Sequence, residues 1–155
     1  MREILLRAGA DARGEDAQTD TYFAVPEGRL KVREGSIENA LIAYARPDLP
    51  GAKPCDVTMT ELDRAALGGV REILEASLPV LVRVRKRREI LFIGNVKFHL
   101  DTVEGLGTFV EIEAQAREGT PARAVLEAQA AEWRERLGIA DADLEPQSYS
   151  DLLQT

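Results

Sequence analysis

Charged side chains recur at every second position in several segments of this sequence. Successive side chains of a β-strand point to opposite faces of a sheet, so each of these sets would lie on one face. A row of cations suits a chain of phosphate groups, because arginine and lysine donate charge-assisted hydrogen bonds to phosphate oxygens. A pair of carboxylates suits Mg²⁺, which combines one or two carboxylates with phosphate oxygens. The basic sets are Arg29, Lys31 and Arg33, then Lys86 and Arg88, then Lys97 beside His99, and the acidic set is Glu111 and Glu113.

Two interpretations of this alternation are open. The residues of a half-buried antiparallel sheet alternate between polar and apolar in the same way, because one face of the sheet is exposed to solvent. A solvent-facing surface normally mixes both signs, however, whereas these strands carry nearly pure basic faces or a pure carboxylate pair. If the sheet curls so that these faces look inward, its interior calls for a polyanion, because uncompensated buried charge costs several kcal/mol per ion. The seven cations that would gather there are Arg29, Lys31, Arg33, Arg46, Lys86, Arg88 and Lys97.

Antiparallel strands must position these residues. Period-two alternation, interrupted by Gly, Pro or Asn, predicts a meander of short strands with a hairpin turn at Gly94 and Asn95. The expected strands are 21–25, 29–34, 38–46, 56–59, 80–93, 96–101 and 108–116.

Two helices are expected beside the sheet. Thr60 and Asp63 form a capping box before a stretch of helical periodicity that ends at Pro79. Thr120 and the proline after it begin a second helix, which ends before Gly138. Trp133 lies on the apolar stripe of this helix and is predicted to be a core residue. The remaining tail, residues 140–155, is expected to be a docked irregular segment.

Composition narrows the class of protein. The chain has 155 residues, of which 20 are basic and 27 acidic, and a formal net charge of −7. This size and a hydrophobic content of 45% predict a single domain over residues 1–155 and exclude disordered, collagen-like and membrane-spanning classes. The acidic balance argues against nucleic-acid binding, although segment 83–97 is locally basic. A charged N-terminus unlike a secretory signal and a lone Cys55 predict a cytoplasmic protein.

Four segments together resemble the CYTH superfamily, which contains class IV adenylate cyclases and thiamine triphosphatases and is also called the triphosphate tunnel metalloenzymes. The similar segments lie within residues 18–116 and follow one another in the same order as in the family. The similarity is greatest to proteins of the class IV adenylate cyclase kind. The segments are 18–23 (QTDTYF), 28–34 (GRLKVRE), 41–48 (LIAYARPD) and 99–113 (HLDTVEGLGTFVEIE).

The resemblance implies an α+β fold, an antiparallel β-barrel of the triphosphate-tunnel type with flanking helices. Inward arginines and lysines would hold ATP, thiamine triphosphate or tripolyphosphate, and acidic residues would bind Mg²⁺ or Mn²⁺. By this resemblance Glu111 and Glu113 fall on the metal-binding strand. Lys53 and Lys97 are further candidates for phosphate, and Asp101 could act at the site or close the following turn. The residues that match the phosphate-binding strands are Arg29, Lys31, Arg33, Arg46, Lys86 and Arg88.

The N-terminus departs from the family pattern. The family opens with a Glu-x-Glu-x-Lys strand, whereas residues 3–7 supply only Glu3, with Leu5 in place of the second carboxylate. Residues 2–9 are better explained as the last turns of a helix with Gly9 at its cap. On that interpretation the first strand of the barrel is missing, and the unpaired edge would favour a homodimer.

Three functions remain open at this point. The first is an enzyme that forms cyclic AMP from ATP or hydrolyses a triphosphate, with no catalytic residue assigned. The second is a non-catalytic module that binds nucleotide or polyphosphate after loss of the Glu-x-Glu-x-Lys strand. The third is a sheet whose basic face meets an acidic partner chain. His99 could serve as a general base or as a hydrogen-bonded sheet residue, and Tyr22 and Tyr44 could stack on a base or simply pack.

Overall fold

A computed structural model describes residues 1–45, 56–116 and 123–154. The described strands form one antiparallel sheet in the order β4-β3-β2-β1-β5-β6-β7. They are β1 (Asp11–Phe23), β2 (Arg29–Glu34), β3 (Ala40–Ala45), β4 (Asp56–Glu61), β5 (Val80–Ile93), β6 (Val96–Val103) and β7 (Gly107–Ala114). The helices are α1 (Arg2–Arg7), α2 (Arg64–Ser77), α3 (Arg123–Arg136) and α4 (Tyr149–Leu152).

The sheet curls until distant strands meet. β1 and β5 lie between β2 and β6, and neighbouring strands are about 4.8 Å apart. Glu38, which follows β2, nevertheless accepts a hydrogen bond from Lys97 of β6 at 2.6 Å. The α+β class with a curled antiparallel sheet is therefore confirmed. β4 and β7 are the edges, and no ladder joins them within the described residues.

The convex face of the sheet carries α1, α2 and α3 on apolar patches. Leu5 of α1 and Trp133 of α3 pack with Phe98 of β6 in one buried cluster. The rings of Phe98 and Trp133 meet edge to face, with centroids 5.0 Å apart. Leu67 of α2 packs on Phe23 in a second cluster. Trp133 is thus a core residue, as predicted.

The N-terminal segment is a helix, as its leucines and Gly9 predicted. Gly9 has a φ of +85°, and its N–H bonds the carbonyl of Leu6 while the N–H of Ala10 bonds that of Leu5. This pair of bonds is a Schellman motif, which ends a helix at a left-handed glycine. Residues 2–7 therefore do not provide a carboxylate strand.

Several element boundaries differ from the prediction, and the tail, which was expected to be irregular, contains α4. Asp63 is itself the N-cap of α2 and accepts a hydrogen bond from the backbone N–H of Ala66 at 2.7 Å. The predicted box at Thr60 was wrong, because β4 continues through that residue to Glu61. β1 also begins at Asp11, ten residues earlier than predicted. Within the described chain, no helix combines the length and the apolar character needed to cross a bilayer.

Candidate functional site

The concave side of the sheet, here called the inner face, collects the predicted charged residues. Strand alternation places them on one side, and the pairing of β1 with both β2 and β5 brings their rows together. All of the predicted site residues that lie in the described ranges fall on this face. The inner face comprises Asp16, Gln18, Asp20 and Tyr22 of β1, Arg29, Lys31 and Arg33 of β2, Lys86 and Arg88 of β5, Lys97, His99 and Asp101 of β6, and Glu111 and Glu113 of β7.

One buried carboxylate lies at the centre of this face. Asp20 is fully buried and accepts hydrogen bonds from Lys31 and from Lys86, each at 2.8 Å. Arg33 adds a two-pronged contact from Nε and Nη2, at 2.8 and 2.9 Å. Three cations therefore surround one carboxylate, and among the described residues only Arg33 of the three reaches a second one, Glu38.

The charges in this cluster change one another's pKa values. Burial alone would raise the pKa of Asp20, but Lys31, Lys86 and Arg33 hold it well below its usual range. Burial, reinforced by the neighbouring arginines, lowers the pKa of Lys86 to about 7 despite the attraction of Asp20. Lys86 is consequently close to losing its proton near neutral pH, which an additional anion beside it would oppose.

A second carboxylate, Glu38, links cations of two strands, β2 and β6, that the curl of the sheet brings together. Its Oε1 accepts from Lys97, and its Oε2 accepts from Arg33 at 3.1 Å. Asp16 holds the turn that carries Glu38, since it accepts from the backbone N–H groups of Ile37 and Glu38 at 2.8 and 2.9 Å. A Cβ at Gly35 would lie 2.7 Å from the Asp16 oxygens, so this close approach requires glycine.

A third cluster joins β5, β6 and β7. Arg88 donates from Nε to Asp101 at 2.7 Å and from Nη2 to Glu111 at 3.1 Å. His99 Nδ1 lies 2.9 Å from the same oxygen, Oε2, of Glu111. Partial burial would raise the pKa of Glu111, but the bond with His99 and the charge of Arg88 hold it well below its usual range. Burial and the Arg88 charge lower the pKa of His99.

The chain's last helix closes one end of the inner face. Arg29 donates to Asp151 at 2.7 Å, and the Tyr149 hydroxyl donates to Asp101 at 2.9 Å. Tyr22 lies beside this end in an apolar cluster with Tyr149, and its hydroxyl is 3.4 Å from that of Tyr44. The two tyrosines thus pack together here.

Open space remains at both ends of the inner face. A cavity of about 490 Å³ lies between Tyr22, Arg29 and Asp151. A second cavity of about 660 Å³ lies at the opposite end, beside Glu38 and Phe92. Both volumes are in the range that small-molecule sites occupy.

The predicted interior of uncompensated cations was wrong in one respect. Each described cation of the inner face has a carboxylate partner within 3.0 Å. The expected basic interior also contains acid, because Asp20, Asp101 and Glu38 lie among the cations. Arg46, Lys53 and Cys55 lie outside the described residues.

A family model for the CYTH domain matches residues 2–149. The chain belongs to the CYTH family. The adenylate cyclase CyaB of Aeromonas hydrophila is 29% identical to it over 153 residues, covering 90% of this chain and 74% of that protein. The earlier resemblance is thus confirmed.

Solved structures share the CYTH fold of this chain. The PH1012 protein of Pyrococcus horikoshii is 25% identical, with a TM-score of 0.81 over 97% of this chain and 90% of that one. A conserved hypothetical protein of Pyrococcus furiosus is 21% identical, with a TM-score of 0.82 over 97% of this chain and 91% of that one. The second likeness concerns the fold alone.

The carboxylates that this CYTH chain offers to a metal ion are few. No group of three or more His, Cys, Asp or Glu able to hold a metal is found within the described ranges. Glu111 keeps one oxygen, Oε1, without a hydrogen-bond partner in the described chain, and Glu113 is exposed on the same face. This donor set fits a hard cation that completes its shell with water and phosphate oxygens.

Sequence reasoning missed the carboxylate partners of the inner cations. Asp16, Gln18 and Asp20 alternate with Ala17 and Thr19, which is a period-two signal with the polar residues inside. The predicted strand begins only at residue 21, so this polar alternation is the signal that was overlooked. Glu38 and Asp151 carried no local signal.

Proposed function

We propose that this protein binds the phosphate chain of a triphosphate on its inner face. The observation that carries the proposal is the buried cluster in which Lys31, Arg33 and Lys86 surround Asp20. Lys31 and Lys86 share Asp20 as their carboxylate partner, and an entering phosphate chain would compete with Asp20 for these two ammonium groups. Arginine in particular suits phosphate, because its planar fork donates two parallel hydrogen bonds.

A divalent cation is part of the proposal. Glu111 and Glu113 would hold Mg²⁺ or Mn²⁺ together with oxygens of the phosphate chain. The cation would neutralise phosphate charge and polarise the phosphoryl group. Arg88 and His99 would keep Glu111 in place through their bonds to Oε2.

An acidic protein partner fits the inner face poorly. The side chains of Lys31, Arg33, Lys86 and Arg88 are between 1% and 10% exposed. A folded chain cannot reach groups that are this deeply buried, whereas a slender phosphate chain would reach them once the ion pairs that cover them open. ATP, thiamine triphosphate or tripolyphosphate remain the candidate ligands, and a homodimer and a cytoplasmic location stay predictions.

The reaction that we propose is either formation of cyclic AMP from ATP or hydrolysis of a triphosphate. The similarity to the adenylate cyclase CyaB of Aeromonas hydrophila supports the first. The ligand would lie along the cation rows with its organic part in an end cavity.

A non-catalytic binding module is the second candidate. It is favoured by α1, because residues 2–7 are helical and bring no carboxylates to the inner face. Metal binding would then depend on Glu111 and Glu113, while the cation clusters are unaffected. Binding without turnover is the expected behaviour of such a module.

The test combines binding with product analysis. Titration calorimetry with tripolyphosphate, ATP and thiamine triphosphate, with and without Mg²⁺ or Mn²⁺, should detect binding of at least one. Release of phosphate or pyrophosphate and formation of cyclic AMP are measured on the same samples. Binding with product supports the enzyme, and binding without product supports the module. Absence of binding to all three ligands would contradict the proposal.

A further inference from the structure

His99 is a buried group of the inner face whose hydrogen bonding is half complete, as is that of Gln18, and of the two only His99 can exchange its proton between two ring nitrogens. Its side chain is 4% exposed. Nδ1 is bonded to Glu111 at 2.9 Å, whereas Nε2 is buried and has no hydrogen-bond partner among the described residues. Buried polar atoms without partners are rare, and each one calls for an explanation such as a missing ligand or water.

The bond to Glu111 determines which nitrogen carries the proton. An ionised carboxylate can only accept hydrogen bonds, so Nδ1 must be the donor in this contact. A second proton on Nε2 would create a buried cation with an unpaired N–H beside Arg88, the least favourable arrangement. Neutral imidazole with hydrogen on Nδ1 leaves Nε2 as a buried acceptor with a free lone pair.

Glu111 gains a defined orientation from this arrangement. Its Oε2 is held by His99 from one side and by Arg88 from another, at 2.9 and 3.1 Å. Partners of this kind orient a carboxylate, and their loss typically weakens metal affinity about 10- to 100-fold. Oε1 is left available for a further contact.

The free lone pair restricts what can approach it. The oxygens of a fully ionised phosphate chain have no hydrogen to donate, so phosphate itself cannot satisfy Nε2. A water molecule or a hydroxyl group can. Since Nε2 is shielded from solvent in this structure, such a donor has to arrive when a ligand binds and the side chains around it move.

We propose that His99 is a positioning residue that orients Glu111 through Nδ1–H and offers Nε2 as the acceptor for an O–H group beside the bound phosphate chain. The first half concerns the free protein, whereas the second half rests on the proposed function. Nothing in the amino-acid sequence distinguishes this role from that of a hydrogen-bonded sheet residue.

The tautomer can be measured directly, because His99 is the only histidine in the chain. Long-range ¹H–¹⁵N NMR near neutral pH should show one imidazole with hydrogen on Nδ1 and an unbonded Nε2. Saturation with tripolyphosphate and Mg²⁺ should move the Nε2 resonance to that of a hydrogen-bonded nitrogen. An Nε2–H tautomer in the free protein would overturn the first half, and an unmoved resonance at saturation would overturn the second.

Two substitutions separate positioning from packing. In His99→Asn the amide N–H occupies nearly the position of Nδ1–H, whereas His99→Phe fills the space without a donor. With tripolyphosphate present, Mn²⁺ affinity measured by EPR should fall about tenfold or more in His99→Phe and be retained in His99→Asn. Equal losses in both variants, or no loss in either, would contradict a positioning role.

Failure of the proposed function is distinguishable from failure of this inference. If calorimetry detects no binding of tripolyphosphate, ATP or thiamine triphosphate to the wild-type protein, the proposed function and the role of Nε2 are both contradicted. The bond from Nδ1–H to Glu111 is then still decided by the tautomer of the free protein. If the ligand binds but the tautomer is reversed, only the inference about His99 fails.

Discussion

Consecutive residues of β5 place the same kind of charge in two different environments. Arg85 and Arg87 point outward, with side chains 60% and 66% exposed, and approach Glu104 and Glu15 only at 4.0 and 3.9 Å. Lys86 and Arg88 point inward, with side chains 1% and 4% exposed. The inner pair has carboxylate partners at 2.8 and 2.7 Å.

The difference between these faces lies in what each charge costs the fold. Exposed ion pairs typically contribute between 0 and about 1 kcal/mol, because water already solvates both partners. Buried ions lose that hydration and are tolerated only where geometry and additional hydrogen bonds compensate for it. The outer arginines therefore contribute little to stability. The inner cations lower stability through their burial, and we explain their presence by ligand binding.

The largest expected effect comes from removing the shared carboxylate. Asp20→Asn leaves Lys31 and Lys86 without a counter-charge, and breaking a buried ion pair typically costs about 3–5 kcal/mol. Urea unfolding should register a loss of this size in the free energy of unfolding. Glu15→Gln, the same kind of change on the outward side of β1, is the matched control and should leave stability nearly unchanged. Similar losses of unfolding free energy in the two variants would show that the inner and outer charges do not differ in their effect on stability.

Proton uptake on binding is the next effect in size. The pKa of Lys86 is about 7 in the free protein, below its ordinary value of 10.5, and phosphate beside it would raise the pKa again. Above pH 7 binding should take up about one proton, and affinity should fall up to about tenfold per pH unit. Calorimetry in buffers of different ionisation enthalpy measures this number. Lys86→Arg, which stays charged, should take up about one proton fewer.

The same group affects stability with the opposite sign. Between pH 7 and 10.5 the unfolded chain keeps Lys86 protonated, whereas the folded chain releases that proton. The unfolded state therefore binds more protons, and the contribution of Lys86 to the free energy of unfolding rises with pH across this window. Thermal unfolding of wild type and Lys86→Arg over these pH values should show the rise only in wild type. A flat profile in both proteins would mean that the pKa is not lowered.

A smaller effect is expected where a carboxylate competes with the ligand. Asp151 accepts from Arg29 at 2.7 Å, and both side chains are partly exposed. Asp151→Asn should therefore raise tripolyphosphate affinity by about two- to fivefold, the range of a partly exposed ion pair. Asp141→Asn alters an exposed carboxylate of the same tail, which is paired with Arg134, and should have no effect. Equal affinities in the two variants would show that Asp151 does not compete.

Local patterns predicted most of the sheet and the inner cations. The limits of β5 agree with the prediction, because its alternation is long, starts directly after Pro79 and stops at the Gly94 turn. β1 was mostly missed, since the predicted strand begins at residue 21 and leaves out the alternation of Asp16, Gln18 and Asp20. Polar residues on the buried side of a strand break the usual pattern of apolar burial, and such exceptions are expected at functional sites.

The partners of the inner cations could not be predicted. Lys86 and Asp20 are 66 residues apart, and Arg29 and Asp151 are 122 apart. Such pairs depend on the order of strands and on the curl of the sheet, which no local pattern specifies. The strand faces predicted an interior of gathered cations, whereas the fold also brings Asp20, Glu38 and Asp101 inside.

Titration of tripolyphosphate into Arg85→Gln and Lys86→Gln, in the presence of Mg²⁺, tests most directly whether the inner face binds phosphate. The two residues are adjacent in sequence, lie on opposite faces and lose one positive charge each. Lys86→Gln should weaken binding about 10- to 100-fold, the value of a charge-assisted hydrogen bond, while Arg85→Gln should bind like wild type. Equal losses in the two variants, or none in Lys86→Gln, would contradict the account.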